Sequence, residues 1–128
     1  LIQILDPVFL PLSIDLTVFV EPGKKSQVLV ALQRTFSDTT YSDGRGGFFA
    51  PENFTFGMAL SKSDLISAAM TVPGIESVMV SRLSHYGSNI DQNTIVPVKN
   101  EIIRVDNNYL HPSNGIINFH LRDNTAGL

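Results

Sequence analysis

The chain has 128 residues, of which 43% are hydrophobic, and a formal net charge of −3; this suits one small core and argues against a basic nucleic-acid-binding surface. It has no cysteine, which excludes disulfides and cysteine-based metal or nucleophile chemistry and fits cytoplasmic synthesis. No run of about 18 apolar residues occurs, so no membrane-spanning helix is expected.

Residues 1–12 are apolar but broken by Pro7 and Pro11. They read as an extended lead-in and lack the cationic start and unbroken apolar run of a signal peptide. The chain starts at Leu1 without a methionine, which we read as a piece of a longer protein carrying one domain over 1–128. In residues 14–20 Ile14, Leu16, Val18 and Val20 alternate with Asp15, Thr17 and Phe19, the period of a strand with one aliphatic face. Phe19 suggests that the opposite face is not wholly wet. Glu21-Pro22-Gly23 supplies a turn. Residues 24–36 read as a helix, with Ser26, Lys24 or Gly23 at its start. Val28, Leu29, Leu32 and Phe36 form its apolar stripe.

Residues 37–47 are polar and glycine-rich, a surface loop. Asp43-Gly44-Arg45-Gly46-Gly47 lacks the lysine and hydroxyl residue that a phosphate loop needs, because two phenylalanines follow. The stretch 46–57 then concentrates four phenylalanines between glycines, with Phe54 and Phe56 alternating about Thr55 as in a short strand. That pattern predicts both rings buried under the helices. Ser61-Lys62-Ser63-Asp64 fits a capping box, opening a helix to about residue 71 with Leu65, Ile66, Ala69 and Met70 on its apolar stripe. Val72-Pro73-Gly74 stops it. Residues 75–83 read as a strand with Val78 and Val80 on one face and Met79 and Leu83 on the other. With 54–56 and the helix, it would make a strand-helix-strand unit.

Residues 85–93 are polar and read as a loop. Neither this loop nor 37–47 has enough apolar content to offset its ordering cost, so both are expected to order only against a partner. Residues 95–98 are short and extended. Residues 101–106 read as a strand with Ile103 and Val105 on one face, 107–115 as a turn-rich connection. Residues 116–122 form the last strand, with Ile117, Phe119 and Leu121 inward and Asn118, His120 and Arg122 outward. Residues 124–128 are a tail. The order predicts an α+β fold: a small mixed sheet with two helices on one face, close to a split βαβ, plus a C-terminal strand pair. A small three-layer arrangement with helices on both faces is the alternative.

Gly47-Phe48-Phe49-Ala50-Pro51-Glu52-Asn53-Phe54-Thr55-Phe56-Gly57, followed by Leu65-Ile66-Ser67-Ala68-Ala69 and Val72-Pro73-Gly74-Ile75-Glu76-Ser77-Val78, resembles the C-terminal region of baseplate J-like proteins. These are baseplate assembly proteins of contractile phage tails and related injection particles. The similar pattern is GFF-x-P-x-x-FTFG, a polar helix start, then AAA-x-x-VPGV. The likeness reaches upstream over 14–23 and downstream over 101–106. It implies a structural role in a baseplate wedge, with other wedge proteins as partners, possible self-association, and incorporation into the particle. It makes Gly47, Phe48, Phe49, Pro51, Phe54, Thr55, Phe56, Gly57, Pro73 and Gly74 structural motif residues, not catalytic ones.

The residues themselves point the same way. His85, His111 and His120 lack the helical pair spacing of a metal site, and the aspartates fall one per element, without a local acid–base pair. No Gly-x-Ser-x-Gly elbow occurs. Asn53-Phe54-Thr55 matches a glycosylation sequon, read as coincidence. No metal, cofactor, nucleic acid or membrane partner is expected. The expected function is a non-enzymatic assembly module. A small-molecule-binding regulatory domain of split βαβ type is the alternative, and an enzyme ranks third.

Overall fold

The structure, a computed structural model, describes residues 6–39 and 46–123. The lead-in's first five residues, positions 40–45 of the first loop and the tail 124–128 lie outside the described residues.

The alternating stretch forms the spine of the fold. Strand β1 runs over Val8–Val20, longer than the pattern of 14–20 alone suggested. Its even positions from Leu10 to Val20 are buried, while its odd positions stay more exposed. Residues 8–12 are therefore strand, not lead-in. Partners impose this: residues 8–11 pair in parallel with β5 (Glu101–Arg104), from Val8 opposite Glu101 to Pro11 opposite Arg104. Pro11 is tolerated because it sits where the antiparallel neighbour β3 (Ile75–His85) turns away; its carbonyl accepts the Tyr86 N–H at 2.9 Å. Strand β6 (Ile116–Asp123) runs parallel to β1 from Ser13 opposite Ile116 to Val20 opposite Asp123. The two C-terminal strands thus do not pair with each other. They take successive stretches of β1, giving a four-stranded mixed sheet centred on it.

Helix α1 (Lys25–Thr35) and helix α2 (Lys62–Ala69) cover the aliphatic face. Val28, Leu32 and Phe36 from the first and Leu65 and Ala69 from the second are buried with Ile14, Leu16, Val18 and Val20. The α+β class with two helices on one face holds. Met70 departs from the predicted stripe: it caps the helix end and is exposed. The start of α1 at Lys24 has no side-chain cap. The start of α2 has the expected capping box: Ser61 Oγ accepts the Asp64 N–H at 3.1 Å and Asp64 Oδ2 accepts the Ser61 N–H at 2.9 Å.

Two expectations fail, the first through a turn and the second through register. Strand β2 is only Leu60–Ser61 and pairs with β4 (Thr94–Ile95), in a separate two-stranded sheet. Residues 54–56 are not strand, so the strand-helix-strand unit does not form. In β3, Val80 faces Leu16 and Leu83 faces Ile14. Three steps on β3 match two on β1, so Ser81 is an extra, bulged residue. The bulge carries Leu83 round to the buried face, where Val78 and Val80 point, and leaves Met79 exposed. Ser81 Oγ donates to the Asp15 carbonyl at 3.1 Å and lies 3.3 Å from Thr17 Oγ1.

The turn between β5 and β6 needs a glycine. Gly115 has φ +98°, and a Cβ there would overlap the Arg104 carbonyl oxygen and come within 2.8 Å of Val105 Cα.

Candidate interaction surface

The phenylalanine-rich stretch folds back against the end of α1. Gly47 N–H donates to the Thr39 carbonyl at 2.9 Å, Phe48 N–H to Thr35 at 2.7 Å and Phe49 N–H to Ser37 at 3.1 Å. A side chain at Gly47 would collide with the Ser37 backbone, so the close approach explains this glycine. Pro51 starts a single 3₁₀ turn, Pro51–Asn53, where its missing N–H costs nothing. Asn53 Nδ2 reaches back to the Gly47 carbonyl at 2.9 Å and ties the loop shut. The alternation after it does not become a strand because the chain turns again at once: Met58 N–H donates to the Thr55 carbonyl at 3.2 Å and Gly57 takes φ +71°.

Aromatic packing anchors the stretch. Phe48 and Phe49 meet edge to face at 4.9 Å, Phe54 lies 5.6 Å from Phe48 and stacks on Phe49 at 5.8 Å, and Phe36 joins them to Phe119 at 5.8 Å. Phe54 is 7% exposed, as expected, but Phe56 is 49% exposed. Gly57 at φ +71° turns the chain after it, and Thr55, Phe56 and Met58 sit outside. The motif residues therefore do different work. Gly47, Phe48, Phe49, Pro51 and Phe54 build the aromatic plug. Thr55, Phe56 and Gly57 make an exposed turn. Pro73 and Gly74 lie elsewhere, between α2 and β3: at Gly74, with φ +95°, a Cβ would come within 3.1 Å of Val28 Cγ2 and 3.3 Å of Lys24 Cδ, and its carbonyl accepts the Glu21 N–H at 2.9 Å.

The exposed turn meets two other segments that carry exposed apolar side chains, a meeting the sequence did not reveal. Gly57 N–H donates to the Glu101 carbonyl at 3.0 Å, Glu101 is paired with Val8, and Glu101 Oε1 accepts the Val98 N–H at 2.8 Å. The three segments that meet at this residue each carry exposed apolar side chains, Val8 and Phe9 on the two faces of β1, Phe56 and Met58 at the turn, and Val96 and Val98 before β5, all at least 44% exposed. No spacing rule could find them, because they come from three separated segments joined through Glu101.

Phe54 also separates two grooves. One, of about 490 Å³, lies between the aromatic plug, Met58 and α2. The other, of about 590 Å³, is walled by Phe9, Phe49, Phe54 and Ile102. On its rim Arg104 donates to both oxygens of Asp106, at 3.0 and 2.7 Å, with its guanidinium 5.0 Å from the Phe9 ring centroid. The Asp106 hydrogen bonds push Arg104 further up from its ordinary value, outweighing its partial burial.

On the other face of the sheet, parallel pairing brings together residues that the sequence left apart. Asp15 Oδ1 accepts Asn118 Nδ2 at 3.1 Å and lies 3.3 Å from His120 Nε2. Among the described residues no group of three His, Cys, Asp or Glu side chains could hold a metal ion. His85 and His111 do not join His120.

The loop after β3 is better tethered than its composition implied. Asp91 Oδ1 accepts the Leu83 N–H at 2.9 Å and Oδ2 accepts Lys62 Nζ at 2.6 Å. Lys62 N–H donates to the Asn93 carbonyl, Gln92 N–H to Leu83, and Arg82 Nη2 to Ser88. The Lys62 hydrogen bond, helped by the Leu83 N–H, holds the Asp91 carboxyl below its ordinary value. Polar ties within the chain thus supply what a count of apolar residues misses.

Comparison with known families, curated proteins and solved structures finds no match to this chain.

Proposed function

We propose that the chain is a structural assembly module of a contractile-tail baseplate, working through protein–protein contacts and incorporated into the particle with other wedge proteins as its partners. The observation that carries this is the set of six exposed apolar side chains on the three segments that meet at Glu101. Left in water such side chains are a liability; covered by a neighbour they supply the apolar core of an interface. The likeness of residues 47–57 to baseplate J-like proteins supports the same reading, since Phe56, near the end of that motif, is one of these exposed side chains.

A small-molecule-binding regulatory domain is the second reading, favoured by the two concave grooves beside Phe54. One experiment separates them. Phe56→Asp combined with Val96→Asp changes exposed positions and should leave folding intact. In cells that make the particle, assembled particles should fall roughly tenfold or more, as expected for loss of an interface centre. Normal particle yield with the folded double variant would overturn the assembly reading.

A further inference from the structure

The two outer edges of the main sheet differ. The β3 edge is protected: Ser81 bulges out of register, a second shift falls where Phe19 faces Ser77 and Val20 faces Ile75, and the Asp91–Gln92 segment caps Leu83 from outside. The β6 edge has such a cap only at its start, on Ile117, and none among the described residues beyond it. Its eight residues pair with β1 in unbroken register, without proline, glycine or bulge. Ile117 N–H donates to Asn107 Oδ1 at 3.2 Å, away from β1. By the alternation of a strand, the N–H and C=O groups of Phe119 and Leu121 point the same way. Among the described residues no hydrogen bond meets them on that side.

The side chains along this edge set its chemistry. Phe119 and Leu121 are only half-buried on the helix-covered face, and among the described residues no strand flanks them beyond the edge. On the opposite face β6 presents Asn118, His120 and Arg122. Asn118 and His120 are engaged with Asp15, whereas exposed Arg122 has no ion-pair or hydrogen-bond partner among the described residues.

We propose that the outer edge of β6 accepts an extended segment of a partner chain, as an added strand in which apolar residues alternate with acidic ones. Backbone hydrogen bonds to Phe119 and Leu121 provide the pairing. Apolar side chains of the incoming strand continue the core beside Phe119 and Leu121. Its carboxylates lie on the other face beside Arg122, as favourable cross-strand neighbours. A second copy of this chain fits less well: its own β6 offers Ile116, Asn118, His120 and Arg122 on that face, with no acid to meet Arg122.

The inference stands on the edge alone and not on the baseplate reading, so a negative peptide experiment leaves the particle experiment untouched. The test titrates the ¹⁵N-labelled 128-residue chain with a blocked nonapeptide alternating valine and glutamate, and with its valine–lysine counterpart. The expected result is saturable shifts and slowed exchange at the Phe119 and Leu121 amides, with the glutamate peptide bound roughly tenfold more tightly. Arg122→Glu should reverse that preference. Leu121→Pro removes an outward N–H and no bond to β1, and should weaken binding by roughly tenfold. If Leu121→Pro does not fold, the preference reversal in Arg122→Glu decides. Absence of saturable binding, or equal binding of both peptides, overturns the proposal. So does protection of these amides that rises with protein concentration alongside dimer in sedimentation, which assigns the edge to a second copy.

Discussion

Replacing Phe54 by alanine removes a ring that is 7% exposed and in contact with Phe48 at 5.6 Å and Phe49 at 5.8 Å. The lost transfer free energy and the space left behind together cost about 3–5 kcal/mol for a buried phenylalanine. Grooves flank Phe54 on both sides, so water and neighbouring side chains can partly fill the space. That places the expected cost near the lower end, about 3 kcal/mol. With an unfolding entropy of roughly 2.1 cal/mol/K per residue, this lowers the melting temperature by roughly 10 °C. Phe56→Ala is the internal control. Its ring is 49% exposed, and the change should cost less than about 1 kcal/mol. Urea denaturation of the two variants beside the parent measures both. Equal losses, or a Phe54→Ala midpoint matching the parent, would refute the separation of the motif into a buried plug and an exposed turn.

Gly115→Ala should destabilise by about 2–4 kcal/mol, from its left-handed backbone and the collision with Arg104. Gly23→Ala, at φ +80° with open space around its Cα, should cost only about 1–2 kcal/mol; chemical denaturation distinguishes them, and equal costs would remove the close approach as the cause. Ser61→Ala should lose about 1 kcal/mol by deleting the cap of α2, seen as a lower unfolding midpoint; no change would mean that the box contributes nothing. Asp91 has a folded-state pKa below its ordinary value. Its contribution is therefore present above the unfolded-state pKa, near 3.9, and is lost as pH falls through the lowered folded value. Asp91→Asn should be less stable than the parent at pH 7, with the gap closing in acid; a gap that is constant from pH 7 to pH 2.5 would exclude the Lys62–Asp91 pair as its source.

Local signals in the sequence were enough for several elements. Alternation from Ile14 to Val20, the 28–32–36 spacing of α1, the Ser61 and Asp64 box and the alternation of Ile117 and Phe119 each need only neighbouring residues to operate, since side-chain direction and capping are set within one or two turns of chain. The α+β class followed from the order of those elements. What the sequence could not decide was pairing. Residues 8–12 became strand because β5 lies beside them, and Leu83 turned inward because a bulge at Ser81 took up one residue of register. Phe54 and Phe56 share a pattern, yet one is buried and the other exposed, because the turn at 55–58 breaks the alternation before a sheet can use it. Asp15 meets Asn118 and His120, and Val8 lies beside Glu101, only because strands more than eighty residues apart in sequence lie side by side. Periodicity reports which way a side chain points from its own backbone; which neighbour it meets depends on strand order and register, and those are settled by the packing of the whole chain at once.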